Sequence, residues 1–259
     1  MTDTPSSPLS GVGVLVTRPR AQATELIKAI ESKGGTALWF PVIEIVPRDQ
    51  GAVAADVAAL PDPDIALFVS RNAVEYGLAY AEGAMKGAVG PATTAAIVRA
   101  GQSVDIHSEQ GFDSESLLAE PQLQDVAGKQ VRIIRGGDGR ELLAASLRER
   151  GAVVHYLPVY ERRRPEKTPQ QLADVEANWR DGQIHVITVM SVESLKNLTL
   201  LLPEWCAQHI GSLPLVTPAV RVIKEALDRY PDARTQLAAG PQTADMVDAI
   251  QKSNPGISP

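Results

Sequence analysis

The chain repeats itself. Slid by 117 positions, "VLVTRPRAQATELIKAIESKGGTALWFPVIE" from Val14 lies without a gap on "VRIIRGGDGRELLAASLRERGAVVHYLPVYE" from Val131. Val14, Arg18, Leu26, Gly34, Pro41, Val42 and Glu44 meet Val131, Arg135, Leu143, Gly151, Pro158, Val159 and Glu161. An internal repeat constrains a fold strongly, because one supersecondary unit must serve twice. Each copy reads as an apolar strand, an arginine at its end, a helix, a glycine where that helix stops, and a second strand reaching Pro-Val-x-Glu. Over residues 25–31, Leu26, Ile27 and Ile30 form one apolar stripe with charges opposite, which is helical spacing.

The likeness continues downstream. "IALFVSRNAVEYGL" (65–78) and "IHVITVMSVESLKNL" (184–198) are each a strand, a serine at the turn and a helix. Ser70 and Ser191 are natural N-caps, since a hydroxyl there accepts from an orphan N–H of the first turn. "GAVGPATTAAIVRAG" (87–101) pairs with "LPLVTPAVRVIKEAL" (213–227), with Val89 on Val216 and Pro91 on Pro218. Short apolar strands alternating with amphipathic helices predict an α/β chain of two similar flavodoxin-like units, each a doubly wound parallel sheet. Ligands of such sheets sit at the carboxyl ends of the strands. The loops at 17–20, 70–72, 135–140 and 191–193 all fall there.

Bulk numbers narrow the function. The 259 residues are 44% apolar and carry a net charge of −6, so a basic nucleic-acid surface is not expected. One cysteine, Cys206, excludes an internal disulfide and a cysteine-based zinc cluster. "MTDTPSSPLSG" lacks the basic and apolar regions of a secretory signal, and no apolar run approaches the roughly 18 residues of a membrane helix. The expectation is a soluble cytoplasmic protein without membrane or nucleic-acid partners.

The chemistry-bearing motifs are sparse. "RGGDGRELL" does not fit the dinucleotide fingerprint: from Gly137, Gly139 takes the third place but Leu142 takes the sixth. Its repeat partner "TRPRAQ" has no glycine. His107, His155, His185 and His209 are scattered, without hydrolase or metalloprotease spacing. What remains is cations, hydroxyls and helix starts at strand ends, suited to an anion. Arg18 and Arg135 stand at equivalent strand ends. Gly136 and Gly137 would let backbone N–H groups approach an anion, with Arg140 beyond them. Each arginine reads equally as a local ion pair. Tyr160 is a phenol where the other copy has Ile43, and it reads equally as a packed ring.

Taken together, "VLVTRPRAQATEL", "LFVSRNAVEYG", "AVGPATTAAIVRAG", "RIIRGGDGRELLAASLRERGAVV", "PVYERRRP" and "VMSVESLKNL" resemble the uroporphyrinogen-III synthase family, from about residue 12 to 250. The resemblance implies a cyclising lyase without metal or organic cofactor. Its substrate would be hydroxymethylbilane, a linear tetrapyrrole with eight carboxylates. That substrate loses water to an azafulvene and closes, with inversion of ring D, to uroporphyrinogen III for haem biosynthesis. It implies Tyr160 as the catalytic residue. It implies Thr17, Arg18, Ser70, Asn72, Thr93, Arg135, Gly136, Gly137, Arg140 and Ser191 as substrate-binding residues. Thr93 matches a family hydroxyl; in the other half that hydroxyl falls on Ala219, and Thr217 is the candidate to replace it.

The resemblance also changes the domain plan. A plain duplication cuts near residue 128. The family instead implies domains at 1–41 with 163–259 and at 46–158. Linkers at 42–45 and 159–162 would pair as two β-strands, with the active site in the interdomain cleft. A monomer is implied, with the upstream bilane-forming deaminase as a partner. Two other classes stay open: a non-catalytic tetrapyrrole- or anion-binding module, and a flavodoxin-like cofactor-dependent enzyme.

Overall fold

Short strands that are apolar throughout suit a parallel sheet covered on both faces, and β1 (Gly13–Val16) is buried along its whole length. The computed structural model describes residues 7–108, 111, 113–137 and 141–253. After β1 come α1 (Arg20–Ser32), β2 (Thr36–Trp39), β3 (Glu44–Pro47) and α2 (Gln50–Ala58). The chain continues through β4 (Ile65–Phe68), α3 (Arg71–Gly77), β5 (Met85–Ala88), α4 (Pro91–Arg99), β6 (Ile106–His107) and α5 (Ser114–Leu118). It then forms β7 (Gln130–Gly136), α6 (Leu142–Glu149) and the long β8 (Val153–Arg163). The last stretch holds α7 (Pro169–Arg180), β9 (Val186–Thr188), α8 (Val192–Leu201), α9 (Glu204–Gln208), β10 (Leu215–Thr217), α10 (Val220–Arg229), β11 (Thr235–Leu237) and α11 (Thr243–Ser253).

These elements divide into two compact units, Met1–Glu44 with Arg163–Pro259, and Ile45–Arg162. The first has a five-stranded sheet in the order β11-β10-β9-β1-β2, with every neighbouring pair parallel. Counted along its own chain that is the 2-1-3-4-5 order of a flavodoxin-like sheet. The second has a six-stranded sheet, β3-β8-β7-β4-β5-β6. There β7 and β8 hold the places that β1 and β2 hold in the first unit, and β4, β5 and β6 match β9, β10 and β11. The two halves of the duplication have thus exchanged their first strand–helix–strand segments. The strands predicted for the two crossings, 42–45 and 159–162, fall largely within this second sheet: β3 lies at its edge beside β8.

Sidedness explains the cores. Along β4, Ile65 and Leu67 join one apolar cluster with α5 and α6, while Ala66 and Phe68 join another with α3 and α4. In the first unit Val14 and Val16 pack with Leu26 and Ile30 of α1 and Met246, Val247 and Ile250 of α11. The repeated glycines end helices as expected. Gly34 after α1 and Gly151 after α6 take φ of 83° and 85°, the left-handed region where a side chain is strained. Among the described residues no helix is long and apolar enough to cross a membrane.

Candidate active site

In each unit two adjacent strands feed helices onto opposite faces of the sheet. β7 leads to α6 on one face, and β4 leads to α3 on the other. The crevice between their carboxyl ends is the topological switch point, where open α/β sheets bind ligands. The same crevice lies between β1 and β9 in the first unit.

Tyr160 dominates the second unit's crevice. The β7–β8 register runs Arg135 to Pro158 and then Gly136 to Tyr160, skipping Val159. This bulge re-aims the side chain, as bulges do beside functional sites. Val154 and Tyr156 face the α6 side, and an unbroken alternation would send Tyr160 there too. Instead Tyr160 joins Leu157 and Val159 on the α3 side, with only 6% of it exposed. Its ring crosses above Gly136, and its Oη lies 3.0 Å from Ser70 Oγ. Ser70 caps α3 by accepting from Ala73 N at 3.0 Å.

The glycines of the β7 turn have a reason different from the anion approach read from sequence. A Cβ on Gly136 would come within 2.7 Å of Tyr160 Cε2 and 2.9 Å of Cζ, so Gly136 is the seat of the tyrosine ring. Gly137 is exposed, but its N–H donates to the Tyr160 carbonyl at 3.1 Å. Arg140 lies outside the described residues.

Arg135 is held on the α6 face. Its Nη1 is 3.5 Å from Glu141 Oε1, and its guanidinium stacks 4.7 Å from the centroid of the Tyr156 ring, with Arg148 at 5.5 Å. The Tyr156 hydroxyl donates to the other Glu141 oxygen. That hydrogen bond, then the two arginines, holds the Glu141 carboxyl below its usual range, while burial pushes the Tyr156 phenol up. The local-ion-pair reading of Arg135 therefore describes this conformation.

The first unit is built similarly but closed by hydrogen bonds. Thr17, 1% exposed, donates to the Thr188 carbonyl at 2.6 Å and ties β1 to β9. Arg18 is also buried, with Nη2 donating to the Pro241 carbonyl at 3.0 Å and Nε 3.2 Å from Met190 Sδ. Ser191 caps α8 through Ser194 N at 3.1 Å and lies 2.9 Å from the Ser194 hydroxyl. Ala219 offers no side-chain cap to α10; Thr217 Oγ1 accepts its N–H instead, but Thr217 is fully buried and presents nothing to a ligand. Thr93, in the first turn of α4, is buried and donates to the Val89 carbonyl. Asn72 is half-buried and makes no side-chain hydrogen bond among the described residues.

The sequence reading passed over three cations. Arg20, Arg71 and Arg221 stand in the first turns of α1, α3 and α10. No side chain of the three has an ion pair or hydrogen bond among the described residues, although the Arg20 guanidinium lies 5.3 Å from the Trp39 ring centroid. Helix starts favour acids and disfavour cations. An arginine in that place was the available signal. Lys167 was also passed over. Its Nζ donates to the Pro41 carbonyl and stands 4.3 Å from the Phe40 ring centroid, and burial pushes it down to about 8 against the opposing pull of Glu44. Cys206 is buried and its thiol is pushed up to about 11, which suits packing rather than nucleophilic attack. Among the described residues no group of histidine, cysteine, aspartate and glutamate side chains could hold a metal ion.

Comparison with known proteins matches residues 24–249 to the family described as uroporphyrinogen-III synthase HemD. The chain belongs to the uroporphyrinogen-III synthase family. It is 32% identical over 210 residues to the uroporphyrinogen-III synthase of Salmonella typhimurium, covering 76% of this chain and 83% of that protein. The corresponding enzyme of Escherichia coli K12 is 30% identical over 207 residues, with the same coverage. The crystal structure of uroporphyrinogen-III synthetase from Helicobacter pylori shares the fold, with a TM-score of 0.61 over 94% of this chain and all of that one, at 11% identity. The function is thus that of a uroporphyrinogen-III synthase, an enzyme with a small-molecule substrate. This membership outweighs the reading as a non-catalytic binding module and the reading as a cofactor-dependent flavodoxin-like enzyme.

Proposed function

We propose that the chain is a cyclising lyase that converts hydroxymethylbilane to uroporphyrinogen III with inversion of ring D, and that Tyr160 is its catalytic residue. The observation that carries the assignment is the aim of Tyr160. A bulge turns it, a glycine seats it, and its hydroxyl reaches the switch-point crevice beside Ser70. There the phenol protonates the hydroxyl that leaves the bilane. The C–O bond breaks with its electron pair on oxygen, the phenolic proton completes a water molecule, and the pyrrole nitrogen lone pair fills the methylene carbon. Loss of the pyrrole N–H proton to the phenolate gives the azafulvene and restores Tyr160. The remaining work is holding the chain ends so that inverted closure is nearer than direct closure.

The carboxylates meet the strand-end loops in each unit. Asn72 and Ser191 supply amide and hydroxyl groups, Gly137 an open backbone turn, and Arg140 a cation that follows β7 in sequence. Arg20, Arg71 and Arg221 add charge to this set. Arg18, Arg135, Thr17, Thr93 and Gly136 shape the loops from within. A monomeric state, a cytoplasmic setting and the upstream deaminase as partner belong to the same proposal. The test is to mix purified protein with freshly made hydroxymethylbilane and separate the oxidised products. Type III is expected; type I alone would sink the reading.

A further inference from the structure

Tyr160 and Ser70 are 90 residues apart in sequence and 3.0 Å apart at their hydroxyl oxygens. The approach is enforced from several sides. Gly136 leaves room for the ring, and the Gly137 N–H pins the Tyr160 carbonyl at 3.1 Å. On the other side Gly77 lets α3 lie close to β7, since a Cβ there would fall 2.4 Å from Ile134 Cγ2. The Tyr76 ring flanks Tyr160 at 6.3 Å between centroids.

The proton inventory is short. A serine hydroxyl has one proton and two lone pairs, and a phenol has one proton to give. Ser70 already accepts the Ala73 N–H at 3.0 Å. If Tyr160 donates to Ser70, its only proton is engaged within the protein. If Ser70 donates to Tyr160, the phenolic proton is free to face a ligand. The second arrangement also runs in one direction, from Ala73 N–H to Ser70 O–H to Tyr160 Oη, and donors in series strengthen one another.

We propose that Ser70 is a positioning residue: its hydroxyl donates to Tyr160 Oη and aims the phenolic proton at the departing hydroxyl of the substrate. This rests on the reading of Tyr160 as the catalytic acid. When the C–O bond breaks and Tyr160 gives up its proton, Ser70 O–H stabilises the phenolate until the pyrrole N–H proton returns. No oxidant, reductant or third reactant enters.

The experiment uses the whole chain and three substitutions at one position, with kcat and KM for hydroxymethylbilane and the melting temperature of each. Ser70→Ala removes both cap and donor, and kcat is expected to fall about 100-fold with KM nearly unchanged. Ser70→Thr keeps both and restores most of that rate. Ser70→Asp keeps the cap, because a carboxylate accepts the Ala73 N–H, but cannot donate to Tyr160. It is expected to melt like the wild type while staying as slow as Ser70→Ala. The pair Ser70→Ala with Tyr160→Phe should be no slower than Tyr160→Phe alone, because the two act as one unit. An unchanged kcat in Ser70→Asp, or losses that multiply in the double variant, would overturn the proposal. Failure of the wild type to make type III would instead overturn the reading beneath it.

Discussion

Replacing Gly136 by alanine forces a conflict whose size can be worked out. The new Cβ would lie 2.7 Å from Tyr160 Cε2, 2.9 Å from Cζ and 3.2 Å from Oη. The first two are shorter than carbon atoms tolerate, so the ring must move. Tyr160 is 6% exposed and packs in a cluster with Ile134, Leu157 and Val74, so its neighbours must yield as well. Inserting a methyl group into such packing costs about 1–3 kcal/mol, and losing the Ser70 hydrogen bond costs about 0.5–1.5 kcal/mol more. Alanine offsets roughly 0.5–1 kcal/mol through its smaller conformational entropy. The net expectation is a loss of about 0.5–4 kcal/mol, together with slower type III formation. Gly137→Ala is the matched control. Among the described residues no atom lies within 4 Å of its Cβ, and its φ is not positive, so the entropic gain is what remains. Urea unfolding followed by circular dichroism compares the two midpoints. If Gly136→Ala matched Gly137→Ala in midpoint and the wild type in rate, the seating of Tyr160 by Gly136 would be wrong.

Two further outcomes follow from charge. Arg20→Gln, Arg71→Gln and Arg221→Gln should each leave stability within about 0.5 kcal/mol, while KM for the bilane rises several-fold and kcat changes little. Steady-state kinetics checks this, and three unaltered KM values would remove these arginines from the site. Lys167 titrates at about 8 in the folded chain because of burial, against about 10.4 when unfolded. Between those values the unfolded chain binds more protons, so the lysine makes stability rise with pH there. Lys167→Met should lack that rise, and parallel stability profiles from pH 7 to 10.5 would contradict the assignment.

Local features were legible in the sequence because local physics decides them. Ser70 and Ser191 cap helices as hydroxyls before amphipathic runs should. Gly34 and Gly151 turn the chain at helix ends in both copies. The exchange of β1–β2 with β7–β8 is different in kind. The repeat alone satisfies the same strand and helix patterns whether each half folds by itself or the first segments trade places. Only the partners across β1–β9 and β4–β7 distinguish the two, and these are tertiary. Tyr160 drew notice as a phenol aligned with Ile43, yet its partner Ser70 lies 90 residues away. The Gly136 seat and the skipped Val159 likewise depend on a neighbouring strand. Arg18 and Arg135 occupy equivalent places, but a carbonyl at Pro241 holds one and Glu141 pairs with the other, and the first copy has Thr24 where the second has Glu141.

The most direct test sets wild type and Tyr160→Phe side by side on freshly made hydroxymethylbilane, with products oxidised and resolved as type I and type III isomers. The account predicts type III from the wild type. From Tyr160→Phe it predicts slow type III with type I accumulating from unassisted closure, and an unfolding free energy within about 1.5 kcal/mol of the wild type. Type I alone from the wild type, or an undiminished type III rate from Tyr160→Phe, would contradict it.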